Sequence, residues 1–134
     1  DRIMLELHGW ITFRETYEAV EDCQFDRIME AIFRKCESLK YHRLKPGAMD
    51  GEWYLEVTLF ANHHNPEVEE LFEFLTYAAA KAPGSYGMFY MHDDEDRTGM
   101  ENEFQVFVIA RGKIRREKDP FLSPFIPAVE DAEA

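Results

Sequence analysis

The segment from Ala82 to Asp96 most constrains what this chain can fold into. Pro83-Gly84 must end any helix before it, because proline cannot continue the hydrogen-bond ladder and glycine accepts the left-handed cap conformation. The residues from Tyr86 to His92 form a predicted strand, and the four acids from Asp93 to Asp96 follow it directly. Because like charges repel, we expect these four carboxylates to face water, a metal ion or a cationic partner.

Apolar periodicity predicts the other elements. Alternating apolar residues predict further strands at Ile3–Phe13, Trp53–Ala61 and Glu103–Arg111, with a short one at Tyr41–Leu44. Helical spacing predicts one helix from Asp22 to about Leu39 and another from Asn65-Pro66 to about Ala82. The order β-α-β-β-α-β-β predicts an α+β fold, a mostly antiparallel sheet with both helices on one face. Its simplest version is ferredoxin-like.

The face of this predicted sheet opposite the helices combines aromatic and carboxylate side chains. It would carry Glu6, His8, Trp10 and Thr12, then Tyr54, Glu56, Thr58 and Phe60, and finally Gln105, Phe107, Ile109 and Arg111. Two interpretations remain open. The aromatic side chains form a second small core under an apolar tail, or the face binds another protein.

Length and charge limit the class of protein. The 134 residues suit one domain, 1–134, and we expect its proline-rich apolar tail, 119–134, to pack on that domain. The 27 acids and 15 bases give a formal charge of −12, which repels nucleic acid and anionic lipid. We therefore expect no nucleic-acid partner and no membrane partner.

The two cysteines indicate a reducing compartment. Cys23 and Cys36 lie 13 positions apart in the first predicted helix, so roughly 20 Å of axial rise separates them and prevents a disulfide. The chain also has no apolar run of about eighteen residues, as a membrane anchor would need. We expect a cytoplasmic protein.

Several short motifs, in their order along the chain, resemble the immunity protein 7 family of bacterial polymorphic toxin systems. They are His8-Gly9-Trp10, the segment Ala82 to Gly87, Asp93 to Asp96, Asn102, Arg111-Gly112 and the segment Asp119 to Pro124. The resemblance spans nearly the whole chain. It implies a small cytoplasmic protein that neutralises a toxin encoded beside it, for which a nuclease is the expected type, without catalysis and without a cofactor.

The residues themselves indicate where a partner would bind. A nuclease holds a polyanion in a cationic cleft, so an inhibitor gains by presenting carboxylates there. The predicted partner-binding acids are Asp93, Asp94, Glu95, Asp96, Glu101 and Glu103, together with Glu67 and Glu70 on the second helix. Bases cluster elsewhere, at 34–45 and 111–118, so we expect a dipolar molecule, monomeric or weakly dimeric. Solubility is the competing explanation for the acids.

Aromatic side chains are the expected anchors of such an interface, because binding energy concentrates in a few desolvated rings. Trp10, Tyr86 and Tyr90 are the candidates, although each could instead pack inside the protein.

Two other classes of function remain as alternatives. A small metal-dependent hydrolase would use His63, His64 and His92 with the acids of the turn, but adjacent histidines in a strand point to opposite sides. The sequence contains no nucleophile elbow, phosphate loop or zinc spacing, so we predict no metal site and no catalytic residue. The second alternative is a cytosolic protein-binding module unrelated to toxins.

Overall fold

The computed structural model describes residues 5–15, 22–62 and 65–132. In these ranges the strands are β1 (Leu5–Phe13), β2 (Gly47–Met49), β3 (Glu52–Ala61), β4 (Tyr86–Asp93), β5 (Phe104–Ala110) and β6 (Lys113–Lys118). The helices are α1 (Asp22–Glu37), α2 (Pro66–Lys81) and the short α3 (Phe125–Ala128). No helix in the described ranges combines the length and the apolar character needed to cross a bilayer.

The strands form one antiparallel sheet in the order β2-β3-β1-β4-β5-β6. At its centre, Leu7 of β1 lies opposite Leu59 of β3 on one side and Met91 of β4 on the other. Because β3 separates β1 from β2, the first four strands have the split β-α-β arrangement of ferredoxin-like domains. The predicted α+β class is confirmed.

One hydrophobic cluster joins the sheet to α1 and α2. The alternate side chains of β1, from Leu5 to Phe13, are buried against Ile32 of α1 and Phe74 of α2. Helix α2 begins where the sequence predicts, because the Asn65 side chain accepts hydrogen bonds from the backbone N–H groups of Glu67 and Val68, at 3.0 and 3.4 Å. Because α1 and α2 both pack on this buried side of β1, the two long helices cover the same face of the sheet.

Two strands differ from the prediction. The short strand before β3 is Gly47–Met49 rather than Tyr41–Leu44, and Asp50 and Gly51 make the turn between β2 and β3 with φ of 51° and 82°. Strand β6 was not predicted at all. Its sequence, Lys113–Lys118, is charged at every position but Ile114, so it lacks the apolar alternation of a strand. Such charges are typical of an exposed sheet edge, where they discourage pairing with another chain.

The prediction also assigned the side chains of β5 to the wrong faces of the sheet. Phe107 lies opposite the buried Phe89 and packs on Phe72 of α2, with ring centroids 4.7 Å apart. Gln105 and Ile109 share that helix-side face, so they are not on the open side of the sheet as expected. Strand β5 is apolar at nearly every position, and its sequence pattern therefore does not distinguish the two faces.

The segment after β6 lies against the sheet on the side away from α1 and α2. Asp119 is buried and accepts hydrogen bonds from the backbone N–H groups of Phe121 and Leu122, both at 2.9 Å. The Phe125 ring stacks on His92 of β4 with centroids 4.4 Å apart. The prolines of this segment interrupt helix formation, and the structure has only the single irregular turn of α3.

Glycine at position 87 allows β1 and β4 to approach closely. A Cβ atom at Gly87 would lie 2.1 Å from the Trp10 carbonyl oxygen and 2.8 Å from the Ile11 Cα atom, and neither backbone atom can move without breaking the strand pairing. We predict that Gly87→Ala destabilises the fold by roughly 2 kcal/mol or more and lowers the Tm by at least about 5 °C in a thermal melt.

Gly99→Ala is the matched control, because Gly99 has φ of +92° but no atom within 4 Å of the added Cβ. This substitution should lower the free energy of unfolding only by the cost of placing alanine at a positive φ, about 1 kcal/mol. Equal losses of Tm in the two variants would contradict the steric explanation.

Candidate functional site

The face of the sheet away from α1 and α2, called the open face here, carries exposed aromatic side chains. Trp10 on β1 is 42% exposed, Tyr86 on β4 is 41% exposed and Phe60 on β3 is 51% exposed. Tyr90, on the same face of β4, lies opposite His8 and is half-buried. The predicted aromatic anchors Trp10, Tyr86 and Tyr90 are therefore all on the open face.

A hollow of about 380 Å³ lies on the open face over the central strand, between Trp10 and Tyr90. Its lining comes from three adjacent strands and consists mainly of His8, Trp10, Glu56, Thr58, Met88 and Tyr90. The register explains this grouping, since Trp10 lies opposite both Glu56 and Met88, and His8 lies opposite both Thr58 and Tyr90. The hollow has aromatic walls and one carboxylate, a combination that can accept a protruding side chain of another protein.

The Trp10 end of the open face is held in place by contacts that the sequence did not predict. The Trp10 ring meets the Tyr86 ring edge to face, with centroids 5.8 Å apart and an interplanar angle of 88°. The Arg14 guanidinium lies 5.6 Å from the Tyr86 centroid, and its Nη2 donates to Glu52 Oε1 at 2.6 Å. Arg14 follows the last residue of β1 and Glu52 is the first residue of β3, so no periodic pattern in the sequence links them. These contacts restrict the exposed rings before any partner binds.

The acidic turn, Asp93 to Asp96, begins at the last residue of β4, and its first carboxylate does not face outward. Asp93 is only 5% exposed, and its Oδ1 accepts a hydrogen bond from the backbone N–H of Glu95 at 3.0 Å. The expectation that all four acids are exposed is therefore wrong for Asp93. This side chain satisfies a backbone N–H of the turn, as aspartates do at chain reversals. Asp94 is half-buried, whereas Glu95 is exposed.

Asp96 organises the next part of the loop. Its Oδ1 accepts hydrogen bonds from the Thr98 hydroxyl and the Thr98 backbone N–H, both at 2.6 Å, and from the Met100 N–H at 3.3 Å. Its Oδ2 accepts from the buried Gln105 side chain at 3.3 Å. These bonds, chiefly the one from the Thr98 hydroxyl, lower the pKa of Asp96. Farther along the loop, Glu101 is exposed and Glu103 is half-buried.

The two predicted partner-binding acids of α2, Glu67 and Glu70, lie in the helical layer, away from the open face. The Glu70 carboxylate accepts hydrogen bonds from the backbone N–H groups of Lys40 and Tyr41, the second at 2.9 Å. His42 donates from Nε2 to the Glu67 carbonyl at 2.6 Å. The basic segment from Lys40 to Lys45 therefore lies beside these acids. The expected separation of acids from bases is wrong here.

The residues that a metal-dependent hydrolase would use do not form a metal site in the described ranges. No three His, Cys, Asp or Glu side chains there are placed to share a metal ion. His92 donates from Nε2 to the Glu101 carbonyl at 3.0 Å, and His63 and His64 lie outside the described residues. Burial raises the pKa of the Cys36 thiol to about 11, so at neutral pH it is the unreactive protonated form.

Asp96 provides a pH-dependent test of the loop. Its pKa is lowered in the folded state, so its contribution to stability is fully present above the ordinary Asp pKa of about 3.9. That contribution is lost as the pH falls through the lower, folded-state pKa. We predict that Asp96→Asn lowers the urea midpoint at pH 7 and that the difference from wild type narrows below about pH 3.

Glu95→Gln is the matched control, since it removes one charge from an exposed position of the same turn. It should leave the urea midpoint nearly unchanged at both pH values. A constant difference between wild type and Asp96→Asn across this range would show that the Asp96 charge does not stabilise the loop.

Comparison with known proteins is consistent with the sequence motifs. The family model described as Immunity protein 7 matches residues 4–131 of the 134-residue chain. Comparisons with curated proteins and with solved structures give no match. The match includes the strands of the open face, the acidic turn and the segment that packs over β4 and β5. The chain therefore belongs to the immunity protein 7 family, whose members are toxin inhibitors and not enzymes.

Proposed function

We propose that this chain neutralises its cognate toxin by direct contact through the open face and the adjoining acidic turn, and that the toxin is a nuclease with a basic cleft. The observation that carries this proposal is the exposed, mutually packed pair of Trp10 and Tyr86 beside the hollow. Exposed aromatic side chains that are already fixed in orientation lose little entropy on binding, as the anchors of a tight interface require.

The charge of the chain supports a basic partner. A formal charge of −12 draws cationic proteins from a distance and speeds their encounter. The exposed carboxylates of Glu95 and Glu101 would meet the lysines and arginines that hold phosphates in a nuclease cleft. Asp94, Asp96 and Glu103 add negative charge around them. In this proposal Asp93 and Glu70 keep accepting the backbone N–H groups that they bind, and Glu67 stays beside His42, which donates to its backbone carbonyl. None of the three contacts the partner.

The open face and the acidic turn are close enough to belong to a single interface. Strand β4 is 8 residues long and runs from Tyr86 to Asp93, so roughly 23 Å separates its two ends at ~3.3 Å per residue. A standard protein interface buries about 800 Å² on each partner, which corresponds to a disc roughly 30 Å across. One toxin domain can therefore cover both parts at once. We place this encounter in the cytoplasm, with the inhibitor acting as a monomer or weak dimer.

The toxin domain encoded beside this chain is the appropriate probe, and binding kinetics separate the two parts of the surface. We predict that Trp10→Ala raises the dissociation rate at least tenfold, because it removes an anchor ring. Tyr41→Ala is the matched control, since Tyr41 is also an exposed aromatic residue, 49% exposed, but lies beside α2. Similar dissociation rates for the two variants would show that the open face is not part of the interface with the toxin.

The exposed acids in and after the acidic turn should raise the rate of association with the toxin. We predict that Glu95→Gln with Glu101→Gln slows association several-fold, and that association of the wild type slows at least tenfold between about 50 and 500 mM salt. Glu30→Gln with Glu37→Gln makes the same change in net charge at exposed positions of α1 and should slow association less. A salt-independent association rate would contradict steering by charge.

The activity of the toxin is tested with the same reagents. The isolated toxin domain should digest RNA or DNA, and an equimolar amount of this chain should suppress the digestion. Full binding without any nuclease activity of the free toxin domain would contradict the proposed toxin class and leave the binding surface intact.

A further inference from the structure

The segment after Asp119 exposes a second group of apolar side chains, called the tail patch here. Its members are Phe121, Leu122, Ile126 and Val129, which are 77%, 46%, 39% and 48% exposed. Four of the nine large hydrophobic side chains that are exposed in the described residues thus fall within one short segment. Scattered exposed apolar residues are ordinary, whereas a concentration of this kind is typical of an interaction site.

The backbone under the tail patch is held by polar contacts. Asn102 accepts a hydrogen bond from the Ile126 N–H at 2.9 Å and donates to the Ile126 carbonyl at 3.1 Å. The Ser123 hydroxyl accepts from the Phe104 N–H at 2.8 Å and donates to Asp119 Oδ2 at 3.0 Å. The segment is therefore fixed to the sheet without the tail-patch side chains.

Packing of the segment on the sheet does not explain the exposed side chains. The Phe125 ring already stacks on His92 and lies near Phe104, with centroids 4.4 and 6.0 Å away. Phe121, in contrast, leaves most of its surface in water. The exposure of the tail patch is thus a cost in the free chain that burial against a partner would remove.

We propose that the tail patch inserts into an apolar groove of the cognate toxin, beside the basic cleft that the acidic turn faces. This inference rests on the proposed toxin binding. Charge complementarity selects this occupant over a second copy of the chain, because two molecules of formal charge −12 repel each other.

The charges within and after the tail patch are acidic, whereas the bases of β6 precede it in the sequence. Residues 119–132 contain no lysine or arginine, and Glu130 and Asp131 follow Val129. Asn102, which holds Ile126, stands between Glu101 and Glu103. An apolar centre with acids beside Ile126 and after Val129 fits a groove that has cationic side chains at that end, as expected beside a phosphate-binding cleft.

Phe121→Ala tests this inference with the toxin domain encoded beside the chain as the probe. The substitution removes a ring that is 77% exposed, so the Tm should stay within about 2 °C of wild type. We expect the dissociation rate to rise at least tenfold, and Leu122→Ala to raise it to a smaller extent. Tyr41→Ala, which removes an exposed ring elsewhere, should leave the rate unchanged.

The possible outcomes separate this inference from the proposed function. Equal dissociation rates for Phe121→Ala and wild type overturn the tail patch as a toxin anchor, while tight binding and its loss in Trp10→Ala would still support the open face. No binding by the wild type overturns both. If sedimentation shows a wild-type dimer that Phe121→Ala converts to a monomer, the tail patch binds a second copy of the chain, and the assignment to the toxin is wrong.

Discussion

Burial of one side of β1 under α1 and α2 is the constraint on which the rest of the structure depends. Successive side chains of a strand point to opposite faces, so fixing Leu5, Leu7 and Ile11 in the core also fixes the facing of Glu6, His8 and Trp10. Both long helices lie on one side, and the segment after β6 reaches the other side only at the His92 end. The Trp10 end is therefore left open to a partner.

The acids of this protein have two different roles, which a count of charges does not separate. Asp93, Asp96, Asp119 and Glu70 each accept backbone N–H groups in loops or turns, where strand or helix hydrogen bonds are missing. Glu95 and Glu101 remain exposed. The surplus of acids thus supports the connecting loops of a small sheet as well as giving the molecule its negative field.

The sequence predicted those helices and strands whose apolar periodicity fits only one type of secondary structure with one buried face. Helix α2 is an example, since Asn65-Pro66 marks its start, Pro83-Gly84 stands beyond its end and its apolar stripe is clear. The pattern failed where a strand is buried on both faces or on neither: β5 is apolar at nearly every position, and β6 is almost entirely charged. The burial of Asp93 and the pairing of Glu70 with the loop at Lys40 depend on contacts distant in sequence, which periodicity does not report.

The central claim, that the toxin binds the open face, is tested most directly by the two tryptophans, because they lie on opposite sides of the sheet. Trp10 is exposed on the open face, whereas Trp53 packs edge to face on Phe33 of α1 with centroids 5.3 Å apart. In nuclear magnetic resonance spectra of the ¹⁵N-labelled chain, addition of the unlabelled toxin domain should shift or broaden the Trp10 indole resonance and leave that of Trp53 nearly unchanged. A shift confined to Trp53, with Trp10 unaffected in the saturated complex, would contradict the account.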